Sequence, residues 1–115
     1  MKKIEVVIRP SRLDAVRAEL ARRGVCGQLT LTDVLQGEVH KNSIRNENGI
    51  AASLDSRIKI ELIISDHQVD TAVHVILRHA VGDPSATGVD EDHGDIMLLH
   101  IDVILPIGPP KPENT

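Results

Sequence analysis

Residues 57–80 read RIKIELIISDHQVDTAVHVILRHA, and this stretch contains a strand that leads directly into a helix. Over 57–65, aliphatic side chains occupy every second position, which is the period of a strand with one buried face. Those residues are Ile58, Ile60, Leu62 and Ile64. Asp66 can cap a helix over 68–80, where apolar side chains recur at helical spacing. The residues on that helical face are Val69, Ala72, Val73, Ile76 and Ala80.

The beginning of the chain repeats this order of strand and helix. Residues 3–9 alternate between apolar and polar side chains, and Pro10 ends the run. Ser11 is a favoured N-cap residue, and Gly24 is typical of the position just past a helix C-terminus. The positions predicted to be buried in this N-terminal strand and helix are Ile4, Val6, Ile8, Leu13, Val16 and Leu20.

Two further apolar runs, 28–36 and 96–105, predict the remaining strands. The order βαββαβ is typical of an α+β, ferredoxin-like fold, in which a four-stranded antiparallel sheet carries both helices on one face. The other face would carry Val7 and Ile63 with no helix to cover them. Burial of this apolar surface in a closed oligomer is the simplest solution.

Composition narrows the class of protein. The 115 residues suit one domain, which we place at 1–107, followed by a flexible proline-rich tail at 108–115. The chain has no Phe, Tyr or Trp, and its net charge is −4, so neither stacking nor phosphate attraction favours a nucleic-acid ligand. A single cysteine, Cys26, excludes an internal disulfide and paired-cysteine zinc sites.

The apolar runs of the sequence are far shorter than the ~20 residues of a membrane-spanning helix. We therefore expect a cytoplasmic protein that does not insert into a membrane.

Two polar segments interrupt the pattern. The segment 37–56 has no periodic apolar stripe, and we expect it to be mobile and functional. It contains a cationic cluster that fits an anion or a partner protein, or that simply keeps the loop in water: His40, Lys41 and Arg45. The segment 82–94 contains the acidic run Asp90, Glu91 and Asp92, which either binds a divalent cation together with His93 and Asp95 or forms a solvated loop. No combination of nucleophile and base supports catalysis, so we do not expect an enzyme.

Four stretches carry a family resemblance. They are Met1-Lys2-Lys3-Ile4-Glu5, Thr30-Leu31-Thr32-Asp33-Val34, Lys59-Ile60-Glu61 and Asp66-His67-Gln68-Val69-Asp70. In these stretches and in its order of elements, the chain resembles the PII signal-transduction proteins, the nitrogen regulatory family. The resemblance implies a homotrimer with nucleotide clefts between subunits. It also implies that 37–56 is the T-loop of that family and 82–94 the B-loop.

The resemblance further implies which residues line the cleft. The adenine would lie between the strands that carry Val7 and Ile63 and the Gly27 to Thr30 segment of a neighbouring subunit. The nucleotide would also contact Glu61 and Gly94. In typical members of the family the T-loop senses 2-oxoglutarate together with Mg-ATP and then engages a transporter or an enzyme.

The chain departs from the family pattern where the phosphates bind. A lysine that typically follows the last B-loop glycine is Asp95 here, and two arginines of the last strand are Pro106 and Gly108. The T-loop segment also has no tyrosine to modify. Because three cationic contacts are missing, we expect classical Mg-ATP and 2-oxoglutarate sensing to be lost and ADP or AMP to be favoured over ATP.

Three functions remain open at this point. The leading hypothesis is a PII-like regulatory trimer that binds an adenine nucleotide, ADP or AMP rather than Mg-ATP, or a small anion such as bicarbonate, and signals through its T-loop. The relatives to compare are the carboxysome-associated and transporter-linked PII-like proteins. The second is a metal-responsive trimer, similar to CutA, that binds no nucleotide. The third is a purely structural trimer. Nucleotide calorimetry separates the first from the others, and metal analysis separates the second from the third.

Overall fold

The computed structural model describes residues 1–39, 54–81 and 94–108. This part of the chain forms four strands and two α-helices in the order βαββαβ, which confirms the predicted α+β, ferredoxin-like fold. The strands are β1 (Lys2–Ile8), β2 (Gln28–Gln36), β3 (Asp55–Ile64) and β4 (Met97–His100). The helices are α1 (Leu13–Arg22) and α2 (Val69–His79), each preceded by a short 3₁₀ turn, at Pro10–Arg12 and Asp66–Gln68 respectively.

The four strands form one sheet in the order β2-β3-β1-β4, and each neighbouring pair is antiparallel. The two central strands, β1 and β3, pair along the whole of β1, from Lys2 opposite Ile64 to Ile8 opposite Ile58. Residues directly opposite each other point to the same face. The alternation predicted for each strand therefore builds one continuous apolar face across the centre of the sheet.

Both helices contribute to the core on that apolar face. The buried residues come from the same side of β1 and β3 and from one stripe on each helix. They are Ile4, Val6, Ile8, Val16, Leu20, Ile60, Leu62, Ile64, Ala72, Val75 and Ile76. No charged or polar residue is buried among the described residues, so burial of apolar surface is the main favourable term in folding.

The end of α1 follows the prediction for Gly24. This glycine has a φ of +74°, a left-handed conformation that side-chain-bearing residues rarely adopt. Its N–H donates to the Ala21 carbonyl, and the Val25 N–H donates to the Leu20 carbonyl, both at 3.0 Å. This pair of bonds is a Schellman motif, which satisfies the last carbonyls of the helix and turns the chain toward β2.

The starts of both helices differ from the prediction. A 3₁₀ turn stands between each strand and its helix, so the expected caps fall one turn too early. Ser11 lies inside the first 3₁₀ turn, and the residue before α1 is Arg12, which makes no side-chain capping bond. Asp66 does not cap α2 either, because the residue before α2 is Gln68. The Asp66 carboxylate instead lies 2.6 Å from the amino group of Met1.

Strand β4 is shorter than the predicted run over 96–105. It pairs only with β1, from Glu5 opposite Met97 to Lys2 opposite His100. Because β1 begins at Lys2, the ladder has no further partner residue beyond one bond from the Ile101 N–H to the Met1 carbonyl. Residues 101–108 continue without strand pairing in the described part of the chain.

The predicted loops and tail lie mainly outside the described residues. Only the ends of 37–56 and the last residue of 82–94 are described, and only residue 108 of the tail. The expected mobility of 37–56 therefore stays a prediction.

Candidate functional site

The sheet face opposite the helices, here called the open face, carries the residues that the sequence connects with function. Its centre is charged, with Lys3 and Glu5 on β1 and Lys59 and Glu61 on β3. Apolar residues lie around this centre on β1, β3 and β4, namely Val7, Ile63, Met97 and Leu99. The β2 side of the face is polar, with Gln28, Thr30 and Thr32. Met97 and Leu99 are exposed, whereas Val7 and Ile63 are half-buried.

In the charged centre of the open face, lysine side chains offset the repulsion between two carboxylates. Strand register places Glu5 directly opposite Glu61, and like charges at such positions repel. The Lys3 Nζ atom lies 2.8 Å from Glu5 Oε1 and 3.1 Å from Glu61 Oε2, so one ammonium group bridges the two carboxylates. Lys59 Nζ lies 3.8 Å from the other Glu5 oxygen. Two cations and two anions therefore form a neutral network.

This network changes the acidity of its members. The hydrogen bond from Lys3 holds the pKa of Glu5 below its ordinary value, with smaller contributions from the charges of Lys3 and Lys59. The hydrogen bonds to Glu5 and then to Glu61 raise the pKa of Lys3 above its ordinary value. Both charges are therefore favoured by the folded state.

We expect the network to make stability depend on pH in a defined direction. Because the pKa of Glu5 is lower in the folded chain, its contribution is complete above the ordinary value of 4.5 and is lost as the pH falls through the folded value. The variant Glu5→Gln should therefore lose less stability than the wild type when the pH falls from about 6 to about 3. Urea unfolding at a series of pH values measures this, and parallel pH profiles for the two proteins would contradict it.

Four of the predicted ligand residues come together at the β2–β3 side of the sheet. Thr30 is directly opposite Glu61, and Gln28 is directly opposite Ile63. Gly27 lies so close to β3 that a Cβ atom added to it would be 2.2 Å from the Ile63 carbonyl oxygen. Gly27, Thr30, Glu61 and Ile63 therefore form one group.

The other two predicted ligand residues form a second group. A Cβ atom added to Gly94 would lie 3.5 Å from the Val7 carbonyl oxygen, so these two residues are in contact. Val7 is opposite Lys59, four residues before Ile63 on β3. At the rise of a β-strand this is a separation of about 13 Å along the strand. Val7 is nevertheless the diagonal neighbour of Glu61, which is opposite Glu5, so the two groups adjoin at that point. Gly27 and Thr30 lie toward the β2 edge of the sheet, and Gly94 lies toward the β4 edge.

Several other predicted residues are not placed by the structure. His40, Lys41 and Arg45 lie outside the described residues, as do Asp90, Glu91 and Asp92. Asp95 is described, and it is exposed beside Gly94. Among the residues that are described, no three His, Cys, Asp or Glu side chains are grouped closely enough to hold a metal ion. In the same part of the chain, no helix is both long and apolar enough to cross a bilayer.

The alternation in the sequence places Glu5 and Lys59 on this face, but sequence reasoning did not connect Lys3, Glu5 and Lys59 with the candidate site. The signal was present, because these residues stand two and four positions from Val7 or Ile63 on strands with a period of two. It also missed Gln68, whose side chain reaches the turn before β2. No local sequence pattern predicts that contact, because the residues that Gln68 bonds are more than forty positions away in the sequence.

The chain is similar in sequence to known proteins over most of its length. The family model described as nitrogen regulatory protein P-II matches residues 1–105. The nitrogen regulatory protein P-II of Klebsiella oxytoca is 38% identical over 82 residues, which cover 70% of this chain and 72% of the relative. The nitrogen regulatory protein P-II 1 of Escherichia coli (strain K12) has the same identity and coverage. The nitrogen regulatory protein P-II of Pyropia yezoensis is 35% identical over 109 residues, or 93% of this chain and 91% of that protein.

Proposed function

Because this chain belongs to the nitrogen regulatory protein P-II family of regulatory proteins, we propose that it is a cytoplasmic signalling trimer and not an enzyme. Its ligand is an adenine nucleotide bound between subunits, with ADP or AMP favoured over Mg-ATP, or a small anion such as bicarbonate. Ligand binding changes segment 37–56, which contacts a transporter or an enzyme through His40, Lys41 and Arg45.

The exposed apolar surface supports assembly. Met97 and Leu99 on the open face are 52% and 40% exposed in the single chain, beside the half-buried Val7 and Ile63. The segment after β4 adds Val103, Leu105 and Ile107, which are also exposed. Apolar surface of this extent is typical of an interface, and a closed ring of identical subunits buries it without leaving a free patch.

The position of the two ligand groups supports a site between subunits. Thr30 lies on β2, at one edge of the sheet, and Gly27 directly precedes that strand, whereas Gly94 lies close to the β4 edge. In a cyclic assembly the contacts are heterologous, so the β2 edge of one subunit faces a different edge of its neighbour. Such a contact brings Gly27 and Thr30 of one chain to Val7, Ile63 and Gly94 of the next.

Asp95 is the observation that carries the nucleotide preference. It is exposed directly beside Gly94, the residue in contact with Val7 at the phosphate side of the proposed cleft. An anion at this place repels each added phosphate group, and the repulsion is screened by salt. The base pocket is affected less, since Val7, Gly27, Thr30 and Ile63 are uncharged.

Nucleotide titration by calorimetry in EDTA tests the proposal. We expect ADP and AMP to bind the wild type at least as tightly as ATP. The variant Asp95→Lys should tighten ATP binding by about tenfold relative to AMP, because it replaces a repulsion by a charge-assisted contact. The control is Asp14→Lys, the same charge change on the exposed side of α1.

Two results would contradict the proposal. ATP binding to the wild type ten times tighter than ADP binding would reject the stated preference. Absence of binding by every adenine nucleotide would reject the nucleotide function, and titration with bicarbonate would then decide whether the ligand is a small anion.

A further inference from the structure

The turn that connects α1 to β2 is held by a side chain from the distant start of α2. The Cys26 N–H donates to Gln68 Oε1 at 3.2 Å, and Gln68 Nε2 donates to the Gly24 carbonyl at 2.9 Å. The two bonded groups stand on either side of Val25. The Gln68 carboxamide therefore pairs with the turn as the backbone of a parallel strand would.

The same turn is fixed on its other sides. Gly24 completes the Schellman motif of α1 with a φ of +74°. Gly27 packs against the backbone of Ile63 so closely that it has no room for a side chain. Val25, between them, is half-buried and packs against the core. The Gln68 amide is thus the remaining link, and unlike the other restraints it comes from a flexible side chain.

A single short segment of chain contacts both the turn and the proposed ligand group. Ile63 is a proposed ligand residue near the end of β3, and Gln68 follows in the 3₁₀ turn Asp66–Gln68. The Gln68 N–H donates to the Ser65 carbonyl at 3.1 Å, which fixes the position of the 3₁₀ turn relative to β3. A displacement of Gln68 would therefore act on the turn that carries Gly27.

We propose that Gln68 is a positioning residue for the nucleotide cleft: its carboxamide holds the 24–27 turn in the conformation that places Gly27 and Thr30 for the ligand. The inference rests on the proposed nucleotide function. It adds that the start of α2, which contains no ligand residue, controls the affinity of the site.

The test is ADP calorimetry together with amide hydrogen exchange of the segment around Cys26, both on the full chain. The variant Gln68→Met removes both hydrogen bonds and keeps the length of the side chain. We expect it to weaken ADP binding by about tenfold and to speed exchange of the Cys26 amide by about tenfold. The control His67→Met replaces an exposed neighbour in the same 3₁₀ turn and should leave both quantities unchanged.

A second variant, Gln68→Glu, tests the role of the donor. At pH 7 the new carboxylate can still accept from Cys26 but faces the Gly24 carbonyl without a proton to donate, so ADP binding should be weakened. Lowering the pH to about 4, below the ordinary glutamate pKa of about 4.3, protonates this carboxylate and supplies that donor, so the affinity relative to the wild type at the same pH should recover in part. A role confined to stability would not produce this recovery in ADP affinity.

The outcomes separate this inference from the function on which it rests. If the wild type binds ADP and Gln68→Met binds it equally well, the positioning role is rejected and the nucleotide function stands. The same rejection follows if Gln68→Met changes hydrogen exchange but not ADP affinity. If the wild type binds no adenine nucleotide, the proposed function fails and the positioning role fails with it. If Gln68→Met does not fold, Gln68→Glu decides through its pH dependence.

Discussion

Replacement of Gly27 by alanine is expected to lower the free energy of unfolding by about 2–4 kcal/mol. The added Cβ atom would lie 2.2 Å from the Ile63 carbonyl oxygen and 2.6 Å from the Ile64 Cγ2 atom. The first of these neighbours is backbone of a central strand, which cannot rotate away as a flexible side chain does. The start of β2 must therefore move off β3, and the Gln28–Ile63 pair is lost first.

Gly24→Ala is the matched control for this prediction, because it makes the same chemical change three residues earlier. At Gly24 nothing lies within 4 Å of the added Cβ, so the cost comes only from the positive φ. That cost is about 1 kcal/mol. Chemical denaturation of both variants measures the difference. An effect of Gly27→Ala no larger than that of Gly24→Ala would show that the β2–β3 contact is not as close as described.

The sequence predicted the buried face of the sheet because the relevant information is local. Alternation along β1 and β3 identifies Ile4 and Ile60 as buried with no knowledge of the register between them, and both are fully buried. The family resemblance is confirmed by the match over residues 1–105. Each of these predictions required only neighbouring residues in the chain.

The misses depended on contacts between distant segments. The pattern on α2 correctly pointed to Val73, which is half-buried and packs against the core, but it did not identify Val75, which is fully buried. Both lie beside the stripe of Ala72 and Ile76, on opposite sides of it, and the rotation of the helix against the sheet decides between them. That rotation is set by packing, which the periodicity of one helix does not specify.

The same reason explains what was missed in the candidate site. That Lys3 lies between Glu5 and Glu61 follows from the register of β1 on β3, which joins residues 58 positions apart. The tight approach of Gly27 to Ile63 depends on the register of β2 on β3. The sequence contained each residue type, and the resemblance supplied some of the positions, but only the assembled sheet gives the contacts.

Glu5→Gln is expected to destabilise the proposed trimer far more than an ordinary surface change. If the open face is covered in the assembly, the network of Lys3, Glu5, Lys59 and Glu61 is removed from water there. Loss of one partner from a buried ion network leaves uncompensated charge, which costs much more than loss of an exposed pair. We expect the midpoint concentration for dissociation of the trimer to rise on the order of a hundredfold. Light scattering over a dilution series measures it.

Glu19→Gln is the matched control. In the single chain the Glu5 and Glu19 side chains are 14% and 18% exposed, and each is paired with a cation, Lys3 and Arg22 respectively. Hydrogen bonds from these partners also lower the pKa of both carboxyl groups. Glu19 differs in that it lies on α1, away from the open face, and pairs with Arg22 within one helix rather than across strands. A large effect of Glu5→Gln with a small effect of Glu19→Gln would therefore report burial of the open face by neighbouring subunits. Equal effects, or a wild type that is monomeric at micromolar concentration, would show that the open face is in contact with water and would remove the clefts between subunits on which the nucleotide proposal depends.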